Sequence, residues 1–339
     1  MSGARATFIW TGGAVLLAIS LAVLLFPSIF KVKYSVASLP LSEFPPSPEE
    51  VPVVHLPTPE PLKAIYMTSC VAGTPSWRNS LKTFIDETEL NSVVIDIKDY
   101  TGRVAFPNDF PKSASGRGCE VKDLKEFVAT LHQSGIYVIG RISVFQDLSY
   151  SVLFPELSVR ASSTRAVWQD YKGISFIDVG ARPYWDYIIQ ISRQAYTLGF
   201  DELNYDYVRY PSDGNMEDAV YTWSGTSTKA AMLESFFSYL HEDLQTYNLK
   251  TSVDLFGMTT TASHDMGIGQ VLESALPYFD YVAPMVYPSH YPSGWNGFAN
   301  PAEHPYEVVL LAISEGRRRE EMLNLTLGFA TSTPSKLRP

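Results

Sequence analysis

Two aspartates stand where barrel-like folds do their chemistry, at the ends of short apolar runs. Asp206 closes the strand-like part of Gly199-Phe-Asp-Glu-Leu-Asn-Tyr-Asp-Tyr-Val-Arg-Tyr-Pro211, and Asp254 sits near the tip of the next apolar run, Thr251–Phe256. Side chains alternate along a strand, so Asn204 and Asp206 share one face, as do Ser252 and Asp254. Adjacent strands lie about 4.8 Å apart. Two carboxylates at neighbouring tips therefore fall near the separation of about 5–5.5 Å that serves nucleophilic and acid–base attack on an acetal carbon. One would attack; the other, its pKa raised by its neighbour, would protonate the departing oxygen.

Further side chains gather at the same rim as expected substrate contacts. Asp96 and Asp99 come from the second apolar run, Arg141 from the third and Asn204 from the fourth. Arg209 lies close enough in sequence to orient Asp206, and Tyr287 follows the sixth run. Trp295, in Ser293-Gly-Trp-Asn-Gly297, is the expected stacking platform, because a glycine-flanked loop offers a tryptophan little core to fill. Plainer readings stand beside these. A lone Asp at a strand end is commonly a cap or turn former. Lys98 can simply pair with Asp96 or Asp99, Arg141 can be a structural ion-pair partner, and Trp185 reads as helix core.

The elements that must position these groups alternate between apolar runs and amphipathic segments, the pattern of parallel β/α units. Strands are expected at Lys63–Ser69, Ser92–Lys98, Ile136–Ser143, Glu202–Tyr207, Thr251–Phe256 and Tyr281–Val286, with Leu325–Phe329 as a seventh or a lead into it. Helices are expected near Ser76–Glu89, Val121–Ser134, Pro183–Leu198, Lys229–Tyr247, Ile268–Leu276 and Glu303–Gly316. Six or seven such units suit a (β/α)8 TIM barrel of about 250 residues. The competing open doubly wound sheet usually carries a glycine-rich phosphate turn after its first strand; here that place holds Thr68-Ser-Cys-Val-Ala-Gly-Thr74.

Thr7 to Phe26 is free of charge and long enough to cross a hydrocarbon core, so residues 1–33 are read as a cytoplasmic tip and membrane anchor or signal segment. Ser35-Val36-Ala37 offers a cleavage site, and a cleaved chain would be secreted. Residues 34–61 are dense in proline and read as an extended linker. Residues 62–339 form the barrel domain, placed outside the cytoplasm. The net charge of −10 argues against nucleic acid as a partner. Six scattered histidines without a H-E-x-x-H pair argue against a zinc hydrolase, and neither metal nor cofactor is called for. The two cysteines, Cys70 and Cys119, should lie on one face, either as free thiols or joined in an oxidising compartment.

Five segments in this order carry a family resemblance: Val93–Asp99, Gly135–Ile142, Gly199–Pro211, Ser252–Gly257 and Asp280–Pro288. They resemble a bacterial glycoside hydrolase-type family, distantly similar to α-amylase-type barrels. The resemblance implies a TIM barrel, a carbohydrate substrate and Asp206 in the nucleophile position. It departs at Asp254, where amylase-type barrels place a glutamic acid. It also implies that members continue past a Lys-Leu-Arg-Pro motif, here Lys336–Pro339, so an incomplete barrel is expected. The main alternative is a barrel that holds cell-surface polysaccharide on an aromatic rim without cleaving it.

Overall fold

Six short runs rich in Val, Ile and Leu become six parallel strands, since a stretch buried on both faces pairs best with others of its kind. The computed structural model describes residues 53–111, 119–328 and 334–338. The strands are β1 (Ala64–Met67), β2 (Ser92–Lys98), β3 (Tyr137–Ser143), β4 (Glu202–Asp206), β5 (Lys250–Phe256) and β6 (Tyr281–Met285). They hydrogen-bond in chain order, every pair parallel. Residues from all six line a single cavity, so the sheet curls into a half-barrel.

Helices α1 (Ser69–Ala72), α2 (Pro75–Asp86), α3 (Leu124–Gln133), α4 (Leu148–Leu153), α5 (Arg182–Thr197), α6 (Lys229–Leu244), α7 (Leu272–Ala275) and α8 (Pro305–Thr326) connect or follow the strands. Gly135 and Gly199, with φ of 71° and 102°, end α3 and α5 in the left-handed conformation that glycine adopts without strain. The chain then turns straight into β3 and β4. Leu203 and Tyr205 point outward into the helix layer with Trp185, Phe236 and Phe237, all buried, and the Tyr205 hydroxyl meets Ser192 Oγ at 2.9 Å. The alternate residues Glu202, Asn204 and Asp206 point inward. Period-two alternation thus separates core from site within one strand.

The expected seventh strand at Leu325–Phe329 is overturned. Leu325 and Thr326 are the last residues of α8, and Phe329 lies outside the described residues. The Arg/Glu-rich run after Gly316 keeps the helix going. Gly316 itself is retained in the helix for close packing, because a Cβ there would meet Leu337 Cδ1 at 3.0 Å. The place beside β6 goes instead to Leu337, bridged in parallel to Val282. Val282 N donates to Lys336 O at 2.8 Å and Arg338 N donates to Val282 O at 2.9 Å.

Cys70 and Cys119 are joined in a disulfide. Cys70 lies in α1 rather than at the end of a strand, and the bond ties that turn to the connection following β2. Trp168, in the long connection between β3 and α5, is a core residue. It is buried with Val159, Ala161 and Phe176 in a second small core, above which the pairs Arg160–Ala161 and Ala219–Val220 form an antiparallel ladder. The described end of the proline-rich stretch is docked at the strand starts. Leu56 N donates to Asp201 Oδ1 at 2.6 Å, and the other oxygen of Asp201 receives Val138 N at 2.8 Å and contacts His132 Nε2 at 2.9 Å. The expected span Thr7–Phe26 lies outside the described residues. Among those described, no helix is long and apolar enough to cross a membrane.

Lys98 pairs with neither Asp96 nor Asp99. The β2–β3 register shifts between Asp96 and Lys98, and this irregularity turns Lys98 out of the sequence's expected alternation. Its ammonium is fully buried, 2.8 Å from the equally buried Asp147 and 2.6 Å from Ser143 O. Asp147 also accepts from Tyr150 N at 2.7 Å and from the Tyr184 hydroxyl at 2.9 Å. Removing one partner of such a pair leaves an uncompensated buried charge, at a cost of about 3–5 kcal/mol. Asp147→Ala is therefore expected to lower unfolding free energy by about that amount in urea titration. A loss under about 1 kcal/mol would mean the pair is not sealed from water.

Candidate active site

The chain leaves β4 through a left-handed residue. Tyr207 has φ of 51°, a conformation costly for a bulky side chain and often stored at functional sites. Its backbone N–H turns back to donate to Asp206 Oδ1 at 2.6 Å. The other oxygen, Oδ2, receives Arg141 Nε at 3.1 Å and also Arg141 Nη2. Arg141 Nη1 reaches across to Asp96 Oδ1 at 2.7 Å, and the Tyr66 hydroxyl donates to Asp96 Oδ2. Strands β1 to β4 each contribute one member of this chain of contacts, because Tyr66, Asp96, Arg141 and Asp206 all face inward.

Charge and burial shape these groups differently. Burial works against the charge on Arg141, but Asp206 and Asp96 outweigh it and hold the guanidinium above its ordinary value. Burial pushes the Asp96 carboxyl up, while Arg141 and the Tyr66 hydrogen bond pull the other way. Tyr66 is itself raised, first by burial and then by Asp96.

Asp254 has no such cation. The β4–β5 register matches Asn204 with Ser252 and Tyr205 with Val253; continued by one residue, it sets Asp206 opposite Asp254. Both line the inner cavity of about 590 Å³. Asn204 Nδ2 donates to Asp254 Oδ1 at 2.9 Å and to Ser252 Oγ at 3.2 Å. Burial, then the negative charge of Asp206, push the Asp254 carboxyl up to about 7. One carboxylate is ion-paired and its neighbour carries its proton toward neutral pH.

The structure therefore brings together Asp206, Asp254, Asn204, Arg141 and Asp96. Tyr287 stands at the rim, exposed, on the wall of this cavity and of a second one of about 370 Å³ that also includes Asp206 and Arg209. Arg209 does not orient Asp206: that contact belongs to Arg141, and Arg209 Nη1 instead donates to Tyr210 O and Ser212 Oγ, each at 3.1 Å. Asp99 is used as a turn former, its Oδ1 accepting from Thr101 N at 2.9 Å and Thr101 Oγ1 at 2.5 Å. Trp295 packs on Tyr291, ring centroids 4.5 Å apart, in a satellite cluster with Val308 and Ala312. It faces neither cavity. Tyr66 went unremarked in the sequence, although Ala64 and Tyr66 alternate inward on β1 as Asn204 and Asp206 do on β4. Phe256, Met285 and Tyr291, which wall the second cavity, had no distinguishing signal. Among the described residues no cluster of His, Cys, Asp and Glu could hold a metal ion.

A family model described as "putative glycosyl hydrolase domain" matches residues 64–332. The chain belongs to this family. Among solved structures, the glycoside hydrolase domain of PgaB (BpsB) from Bordetella bronchiseptica is 14% identical, covering 82% of this chain and 94% of that one with a TM-score of 0.55. It supports the barrel-type fold. A hypothetical protein from Ruminiclostridium thermocellum is 26% identical over 55% of this chain and 96% of its own, at a TM-score of 0.48. The noncanonic maltogenic α-amylase AmyB from Thermotoga neapolitana is 14% identical over 66% of this chain and 49% of its own, at 0.42. No curated protein matches the chain.

The raised Asp254 has a consequence for stability. Its folded pKa of about 7 exceeds the unfolded value of about 3.9. Between those limits the folded state binds more protons, so stability falls as pH rises through the window. Asp254→Asn removes the penalty. The variant is expected to be more stable than wild type at pH 8, on the order of 1–2 kcal/mol, with little gain at pH 4. Melting curves showing the same difference at both pH values would contradict the raised carboxyl.

Proposed function

We propose that this chain is a glycoside hydrolase that cleaves O-glycosidic bonds of a poly- or oligosaccharide with retention of configuration. The observation that carries the reading is the contrast between two neighbouring carboxylates, Asp206 paired with Arg141 and Asp254 without a cation at contact, pushed up to about 7 by burial and by the charge of Asp206. Environments that push two acids apart are how one site supplies both a nucleophile and an acid. In the first step Asp206 attacks the anomeric carbon while Asp254 gives its proton to the leaving oxygen. In the second, Asp254 takes a proton from water, which attacks the anomeric carbon and releases Asp206. The in-register pairing of β4 with β5, strands about 4.8 Å apart, supports the spacing of about 5 Å of retaining enzymes over the 6.5–9.5 Å of inverting ones.

Family membership supports a carbohydrate substrate, and the Bordetella likeness supports a TIM-type barrel fold. A disulfide supports an oxidising compartment. With the charge-free run Thr7–Phe26, it supports a domain held outside the cytoplasm by a single N-terminal membrane helix.

Asp206→Asn is expected to reduce release of reducing ends by at least about a thousandfold, while retention on the cognate polysaccharide changes little. Wild-type turnover in this variant would remove Asp206 as the nucleophile. Retention of polysaccharide by wild type with no release from any glycan would favour the non-catalytic barrel. Because Asp254 must be protonated to act as acid, kcat should fall as pH rises above about 7. A rate that climbs steadily from pH 6 to pH 9 would exclude Asp254 as the proton donor.

A further inference from the structure

The second cavity, of about 370 Å³, contains a cation that the hydrolytic scheme does not use. Arg209 is only 8% exposed. Two other inward-placed cations are neutralised at contact, Lys98 by Asp147 at 2.8 Å, and Arg141 by Asp96 at 2.7 Å and by Asp206. Among the described residues no carboxylate forms an ion pair with Arg209. Its plane lies among three rings, 5.0 Å from Phe256, 5.5 Å from Tyr207 and 5.7 Å from Phe176. Burial accordingly pulls it below the ordinary arginine value, with the distant charges of Tyr207, Asp206, Asp213 and Asp170 only partly offsetting this.

Its hydrogen bonds show which side is vacant. Nη1 is occupied by Tyr210 O and Ser212 Oγ, and Nε and Nη2 have no acceptor among the described residues. Those two N–H groups are the parallel pair that receives both oxygens of a carboxylate. Both nitrogens keep access to the cavity, where an anion can reach them. On the same wall the Tyr291 hydroxyl, on a residue 6% exposed, is buried with no hydrogen-bond partner among the described residues. Of the acids on this wall, Asp206 is already held by Arg141, and Asp213 is exposed at the rim.

We propose that Arg209 receives a carboxylate carried by the glycan, so that the substrate is acidic, with a uronic acid or a carboxyl-bearing ether on the sugar seated beside Asp206. This deepens the glycosidase reading and rests on it for the sugar, though not for the anion. General attraction to polyanions is not available to a chain of net charge −10, so the preference must be local to this guanidinium.

The test uses the full-length chain carrying Asp206→Asn, so that binding is read without cleavage. Oligogalacturonate, oligoglucuronate and oligomannuronate are each compared with their methyl esters by calorimetry. N-acetylmuramic acid-containing glycan strands are compared with their carboxyl-reduced forms, to separate a ring carboxylate from an ether-borne one. At least one acid should bind about 10- to 100-fold more tightly than its neutral partner, as expected for a charge-assisted bidentate pair. The difference should vanish with Arg209→Gln and survive in reduced form with Arg209→Lys, which keeps a charge but loses the fork. Equal binding of every acid and its neutral form, including no binding of either, overturns the proposal, as does a preference that persists in a folded Arg209→Gln chain. Release from neutral glycans alone would overturn it while leaving the hydrolase reading intact. An Arg209-dependent acid preference without release from any glycan would uphold the anion site and remove the hydrolase reading.

Discussion

Arg141 is the side chain on which the site is assembled. Its three nitrogens bind Asp206 on β4 and Asp96 on β2 from its own place on β3, and Asp96 passes the connection to Tyr66 on β1. Two buried acids and one half-buried cation would each be costly alone; together they satisfy most of one another's hydrogen-bonding capacity. The arrangement works only because the sheet is parallel and in register, with the inward residues of consecutive strands at one height. Barrel interiors are ordinarily filled by branched aliphatic side chains, whereas this one exposes Glu202, Asn204, Asp206, Ser252 and Asp254 to its cavity.

That pairing also creates the difference between the two catalytic candidates. Asp206 and Asp254 are neighbours on the same face, so sequence position alone would make them equivalent. The asymmetry comes from β3: its arginine reaches Asp206, and Asn204, a neutral donor, reaches Asp254. An amide offers a hydrogen bond without a charge, and burial then dominates at Asp254. Deeper inside, Glu202 is held by Arg338 at 2.9 Å and accepts from the Tyr137 hydroxyl at 3.1 Å.

Much of this was legible in the sequence, for a simple physical reason. Parallel strands advertise themselves as short apolar runs, and a period of two assigns faces, so Asp206 with Asn204, Asp254, Arg141 and Asp96 could be placed inward from residue types alone. What failed was whatever depends on a break in that period or on contacts far along the chain. The register shift after Asp96 gives no sequence signal, and it sends Lys98 to Asp147. Arg209 was near Asp206 in sequence, but the reversal at Tyr207 gave the contact to a residue 65 positions away. The glycine-flanked loop around Trp295 offers no core of its own, yet α8 supplies one through Val308 and Ala312. The joining of Cys70 to Cys119 follows from the spatial approach of α1 to the connection after β2, which composition cannot specify.

The left-handed backbone at Tyr207 bears on how a sugar would be received. A glycine would adopt that φ more easily, but it would lack the ring that lies near both guanidiniums, 6.0 Å from Arg141 and 5.5 Å from Arg209. With its backbone N–H fixed on one oxygen and Arg141 on the other, Asp206 has its rotamer chosen before any guest arrives. On the proposed reading, association would forfeit little torsional entropy at Asp206, leaving the binding energy of distant sugar units to steady the ring rather than the protein.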